Sequence, residues 1–238
     1  MRRDQRASCL LAASLALLLA SCRTAPPAAP PGVPAPVPVA PVASSVLYTL
    51  DAEASRVLVL VYREGPMAAL GHNHVMNLRE LTGTVQAFDD AARSRFELSF
   101  PVAAISVDEP GLRAAAGADF ASKVSDAART GTRNNMLGER LLQAAGFARI
   151  TLQSEKIVES GAGSLLATTR INVRGQDCRV DIPLQLRRTE NELVASGEFK
   201  LQQSTLGLTP FSVMMGALRV QDEMMVQFRL VAHRVRLQ

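Results

Sequence analysis

"MMVQFRLVAHRV", Met224 to Val235, places Met224, Val226, Phe228, Leu230 and Ala232 on one parity and Gln227, Arg229 and His233 on the other. A period of two is that of a strand, whose successive side chains point to opposite faces. One face here is apolar and the other polar, as in a strand that covers a core on one side and meets water on the other.

The same period recurs outward from this stretch. "RFELSFPV", Arg95 to Val102, sets Phe96, Leu98, Phe100 and Val102 against Arg95, Glu97 and Ser99. "RVDIPLQLRR", Arg179 to Arg188, alternates Val180, Ile182, Leu184 and Leu186, and "RVLVLVYRE", Arg56 to Glu64, is a β-branched and aliphatic run. Further candidates are Leu78 to Phe88, Ala148 to Val158, Ser164 to Val173 and Glu192 to Gln203. Turn signals separate them: "FDDAARS", "VESGAGS", "RGQD" and "RTENE". About eight one-faced strands predict a mainly β domain, a single antiparallel sheet that is closed or nearly closed. Phe96, Leu98, Phe100, Val102, Val226, Phe228 and Leu230 are expected to face its interior.

One long interruption breaks the pattern, Pro110 to Gly146, where "DFASKVSDAART" and "NMLGERLLQAA" carry helical spacings. Two short helices are expected, either as a surface excursion or over a barrel end. In the second case Phe120, Val124, Met136, Leu137, Leu141 and Leu142 would cover an apolar opening.

The N-terminal residues belong to another kind of segment. "MRRDQR" is positive, Leu10 to Ala20 is apolar but too short to span a bilayer, and "LASC" closes the run at Cys22. This junction resembles the lipobox of bacterial lipoproteins, which implies that residues 1–21 are a signal peptide and that Cys22 is the lipid attachment site. The stretch 22–45 is nearly all Pro, Ala and Val, a composition that blocks helix and sheet and favours an extended tether. Residues 46–238 then form the folded domain. The expected location is the cell envelope, exported and lipid-anchored on the periplasmic side. The absence of aspartate after Cys22 favours the outer membrane.

Removing residues 1–21 takes the balance of Lys and Arg against Asp and Glu from 26 against 22 to 23 against 21, about +2. The remaining charges are interspersed, without the basic block of a phosphate-backbone footprint, so nucleic acid is not an expected partner. Cys178 would be the one cysteine left in the domain, so no internal disulfide is expected and burial must hold the fold together. Cys178 itself reads as a semi-buried strand residue.

"LGHNHVM", Leu70 to Met76, holds two of the three histidines. Pro66 is placed to start a helical turn and Gly71 to end it. If the chain is extended from there, His72 and His74 point the same way as Leu70, Met76 and Leu78, toward the interior. His233 sits on the polar parity of the last strand, away from them. Two histidines are too few for a zinc site, which needs three or four ligands. The pair either hydrogen-bonds backbone at the turn or, with Asn73, binds the head of a ligand at the barrel mouth.

In order along the chain, "LYTLDAEASRVLVLVYREG", "LTGTVQAFD", "FELSFPVAAISVD", "LLQAAGFARITLQSEKI" and "GEFKLQQSTLGLTP" resemble the pattern of the YceI-like family. The resemblance runs from Leu47 to the C-terminus. It departs at Ala148, where the family has proline, and in a longer helical stretch before that residue. It implies a lipocalin-like barrel that binds an isoprenoid lipid, a polyprenyl or quinone-like molecule.

Physical chemistry is compatible with such a role, since an eight-stranded barrel is either filled or holds one small ligand. No nucleophile elbow, HExxH or phosphate-binding glycine loop points to an enzyme, and no cofactor motif is present. The leading expectation is therefore a membrane-tethered isoprenoid carrier. Its alternatives are a metal- or haem-binding envelope protein using His72 and His74, and a filled barrel with a structural or interaction role.

Overall fold

The computed structural model describes residues 45–236; the signal segment, Cys22 and nearly all of the expected tether lie outside the described residues. The elements are β1 (Val46–Glu64), β2 (His74–Asn77), β3 (Thr82–Ala87), β4 (Arg95–Pro101), β5 (Ser106–Val107), α1 (Pro110–Ala115) and α2 (Asp126–Leu137). They continue with β6 (Arg149–Gly161), β7 (Ser164–Val173), β8 (Gln176–Arg188), β9 (Glu192–Gln202), β10 (Ser212–Val213) and β11 (Leu218–Arg234). Among the described residues no helix is long and apolar enough to cross a membrane.

Eight strands, β1, β3, β4, β6, β7, β8, β9 and β11, are neighbours in that order, and pairing of β11 with β1 closes the ring. Every ladder is antiparallel, so the barrel is an up-and-down meander without a free edge among its eight staves. β6 and β8 have 13 residues each. At about 3.3 Å per residue and a tilt near 40°, the barrel stands roughly 30 Å tall.

Two staves are interrupted rather than continuous. β2 and β3 both pair with β1, Asn77 opposite Leu58 and Ala87 opposite Val46. Between them Leu78 to Leu81 step out of the ladder, with Glu80 in the left-handed region at φ 54°. The expected strand Leu78 to Phe88 is thus split, and its ladder resumes only at Thr82. Likewise β4 pairs with β3 and β5 with β2, with one 3-10 turn at Val102–Ala104 between them. Val102 is buried in the main core, but in that turn and off the cavity wall, which corrects its expected place on the strand.

The first half of β1 was not marked by the alternation, because "DAEAS" interrupts it. The register with β11 shifts between Asp51 and Arg56. Asp51 Oδ1 accepts from the N–H groups of Glu53 and Ala54 at 3.0 and 2.9 Å, which satisfies the backbone that leaves the ladder.

The helical region differs from expectation. Two helices, α1 and α2, do lie within 110–146, but at other positions: Ser125 caps α2 by accepting from the Ala128 N–H at 3.2 Å, and Gly138 ends it, so α2 spans the junction of the two quoted stretches and α1 precedes both. Met136 and Leu142 do reach the barrel core. Phe120 does not cover the opening: it is buried on the outside of the barrel with Leu60 and Val75, edge-on to Tyr62 at 5.4 Å.

The ladder between β8 and β9 covers only Gln185–Arg188 against Leu193–Ser196. Pro183, which has no N–H to donate, lies at the point where the two strands part. The backbone of Gly197 passes so near that a Cβ there would stand 2.6 Å from the Pro183 carbonyl oxygen and 2.8 Å from the Phe228 ring. Beyond the parting, Leu206 and Leu208 of the segment after β9 supply the cavity wall. Cys178 is half-buried on β8 and free.

Candidate functional site

The inward parity of the strands does not fill the barrel. It surrounds a cavity of about 730 Å³, within the roughly 300–1,000 Å³ usual for small-molecule sites. Phe96, Leu98 and Phe100 of β4 and Val226, Phe228 and Leu230 of β11 all lie on its wall, as do Met224 and Ala232. Ile182, Leu184 and Leu186 continue it on β8. The small number of aromatic side chains leaves a lining of branched aliphatics, and no tryptophan occupies the space.

Polar groups on the wall gather at the two ends. The hairpin end, formed by the turns after β3 and β6, carries Asp89, Ser94, Glu159, Ser164 and Arg188. The other end carries Arg63, His72, His74, Thr132, Asn135, Gln203 and Arg219.

Local structure explains the position of the two histidines. The 3-10 turn Ala68–Leu70 closes on Gly71, whose N–H donates to the Ala68 carbonyl oxygen, and the chain then runs extended into β2. His72 and His74 reach the cavity with Met76 and Leu78. Their rings stand 6.2 Å apart. Leu70 departs from the expected company: it lies inside the turn rather than in the extended run, is 65% exposed and is absent from the wall.

Behind the histidines lies a buried ionic cluster. Asp108 is 1% exposed and has a left-handed backbone at φ 53°. Its carboxylate accepts from His74 Nδ1 at 2.7 Å, from the Val75 N–H at 2.9 Å and from the buried Arg113 guanidinium at 2.7 Å. Arg113 also donates to the carbonyls of Asn73 at 2.6 Å and Ser122 at 3.0 Å, which ties α1 and the following loop to the histidine strand. Burial raises the Asp108 pKa, the largest single effect, but the bonds from His74, Val75 and Arg113 together outweigh it and hold the carboxyl below its ordinary value. The carboxylate is acceptor-only, so His74 Nδ1 carries the hydrogen and Nε2 is the nitrogen left to a ligand. For His72 burial, followed by the charges of His74, Arg113 and Arg63, lowers the pKa and favours the neutral ring.

Asn73 has a different place from the one expected. Its Oδ1 accepts from the Arg63 N–H at 3.0 Å and its Nδ2 donates to the Asp119 carbonyl at 2.9 Å. The amide therefore braces two loops, and Asn73 is absent from the cavity wall. His233 is exposed on the outer face, 3.1 Å from Asp51, as its parity required. Among the described residues no group of three or more His, Cys, Asp and Glu side chains could hold a metal ion.

Sequence reasoning did not find Arg63, Asp108 or Arg113. Arg63 had a signal: it continues the inward parity of Val57, Val59 and Val61 as a charge where an apolar residue is the rule. Asp108 and Arg113 come together only through the fold of the segment after β4.

A closed meander barrel with a long apolar cavity and polar groups at its ends defines a lipocalin-like class of architecture. Residues 48–232 match the YceI-like domain, and the chain belongs to that family. Its fold is similar to that of BcnA from Burkholderia cenocepacia, with a TM-score of 0.56 and 16% identity over 76% of this chain and 98% of that one. It is also similar to a polyisoprenoid-binding domain from Saccharophagus degradans implicated in plant cell wall breakdown, with a TM-score of 0.52 and 13% identity over 80% of this chain and 99% of that one. No curated protein matches the chain.

Proposed function

We propose that this protein is a membrane-tethered carrier that holds an isoprenoid lipid, polyprenyl or quinone-like, inside the barrel. The observation that carries the reading is the apolar cavity itself, about 730 Å³ of space lined by Phe96, Leu98, Phe100, Val226, Phe228 and Leu230. A flexible hydrocarbon chain gains from leaving water along its whole length in such a lining. The polyisoprenoid-binding character of the Saccharophagus degradans domain, which shares the fold, supports the same chemistry. In this reading His72 and His74 receive the head of the lipid, and Asn73 acts behind them by holding the loop. The role is binding, with no catalytic step assigned.

Cys22 is the proposed anchor, which places the protein in the cell envelope on the periplasmic side, with the outer membrane favoured. β1 begins at the hairpin end, since Val46 to Thr49 pair with the last residues of β3. The chain therefore joins the barrel at the end opposite the histidines.

Mass spectrometry of an organic extract of the purified protein tests the carrier reading. One isoprenoid chain per barrel is expected; a barrel free of lipid after gentle purification, or one that carries stoichiometric metal lost on replacing both histidines with glutamine, overturns it. For the anchor, Cys22→Ser is expected to leave the membrane fraction or to remain uncleaved, and a cleaved, membrane-retained Cys22→Ser chain refutes it.

A further inference from the structure

Carboxylates and cations are unevenly placed along the cavity. The two acidic side chains on its wall, Asp89 and Glu159, are both at the hairpin end, where Arg188 pairs with Asp89, whereas Arg63, His72 and His74 are at the other. Arg113 is paired with Asp108, and Arg219 with Glu64. Arg63 is half-buried, donates to the Gly71 carbonyl and pairs with no carboxylate among the described residues.

From this asymmetry we infer that the histidine end takes an anionic head group, a phosphate ester on a prenyl chain, with Arg63 as its principal cation. The inference deepens the carrier reading and rests on it. A guanidinium keeps its charge at any physiological pH and presents five N–H donors in a fork that fits two phosphate oxygens at once. A half-buried cation without a counter-ion is costly, and a phosphate that enters the mouth removes that cost. Asp108 does not compete for Arg63, because its oxygens are already taken by Arg113, His74 and Val75. His74, oriented by Asp108, offers Nε2 toward the same space, and His72 stands beside it. A neutral quinone head would use hydrogen bonds but leave the Arg63 charge uncompensated. At the hairpin end the Arg188 charge is taken by Asp89 and Glu159 adds a further negative charge, so the unpaired cation of the wall is at the histidine end and the lipid lies with its head there and its tail toward the hairpins.

Equilibrium binding of geranylgeranyl monophosphate and geranylgeraniol to the full-length chain at pH 7 tests this, because the two differ only in the head. The phosphate is expected to bind about tenfold or more tighter, the scale of a charge-assisted pair. Arg63→Gln is expected to bring the two within about threefold by loss of that pair, and Arg63→Lys to keep only part of the preference, because an ammonium supplies the charge without the fork. Arg63→Gln also loses the bond to Gly71, so a salt series on the native chain is the second measurement, and the preference is expected to shrink as NaCl rises. Equal affinities in the native chain, a preference untouched by Arg63→Gln or by salt, or tighter binding of a prenylated quinone of the same chain length overturns the anionic head group and leaves the carrier reading standing. Binding of none of these ligands overturns both.

Discussion

At the hairpin end of the barrel, strands are joined by the short connections 88–94, 162–163 and 189–191, and the charges there meet solvent: the Asp89 side chain, paired with Arg188 at 3.4 Å, is fully exposed. At the histidine end only the connection 174–175 is short; the connections 65–73, 102–148 and 203–217 are long, and they bury a carboxylate and a guanidinium against each other. Short hairpins supply too few backbone and side-chain groups to satisfy a buried charge. The long connections bring residues 74, 75, 108 and 113 to one point, and only there does the dielectric fall far enough for charge to act strongly. The polar chemistry of this barrel is therefore concentrated where its chain is least regular.

The sharpest way to break that contrast is Asp108→Ala. It leaves Arg113 buried without its partner, and an expected loss of about 3–5 kcal/mol should appear in urea unfolding. A loss no larger than that of an exposed acid would mean that the histidine end is as solvated as the other. Phe228→Asp strikes the wall between the ends. Removal of the half-buried ring is expected to cost roughly 2 kcal/mol and, by placing a carboxylate on the apolar wall, to abolish lipid retention. Glu97→Arg, on the outward parity of β4, is the control that should retain lipid; a folded, lipid-loaded Phe228→Asp chain would reverse the assigned faces.

Acid titration gives a smaller effect with a defined sign. The folded Asp108 pKa is lowered, so the fold binds fewer protons there than the unfolded chain. The resulting stability is complete above the unfolded value of about 3.9 and is lost as pH falls through the folded value. His72, also lowered, adds a loss that begins as pH falls below about 6.5, where the unfolded imidazole takes a proton that the folded one resists. Unfolding midpoints across this range should decline toward acid, less steeply below pH 4 in Asp108→Ala and less steeply between pH 6.5 and 5 in His72→Gln. Smallest of all is Asp89→Asn at the hairpin end. An exposed pair is screened by water and salt, so the midpoint is expected to stay unchanged; a clear shift would make the two ends alike.

Much of the wall was legible because a half-buried strand has a strict period of two. Once Phe228 is assigned inward, Val226 and Leu230 follow, and the pattern of β4 places Phe96, Leu98 and Phe100 in the same way. The same parity placed His72 and His74 on the cavity and His233 outside. It failed where the backbone leaves the ladder. Val102 sits in a 3-10 turn after β4, Leu70 in another before β2, and Asn73 gives its amide to two loops. The helix positions also moved, because Ser125 and Gly138 set the ends of α2 more strongly than the apolar spacing around them.

By itself the sequence determined the mainly β class, the number of staves, the inward face of most of them and the apolar character of what they enclose. These follow from local alternation, which each strand carries independently of its neighbours. Only the tertiary structure decided that the interior is a cavity rather than a packed core, and that Arg63, His72, His74, Asp108 and Arg113 meet at one end of it. Packing density depends on how the staves close on one another, and the ionic cluster depends on segments distant in the chain. A buried carboxylate selects its partners by three-dimensional satisfaction of its oxygens, which no periodicity along the sequence records.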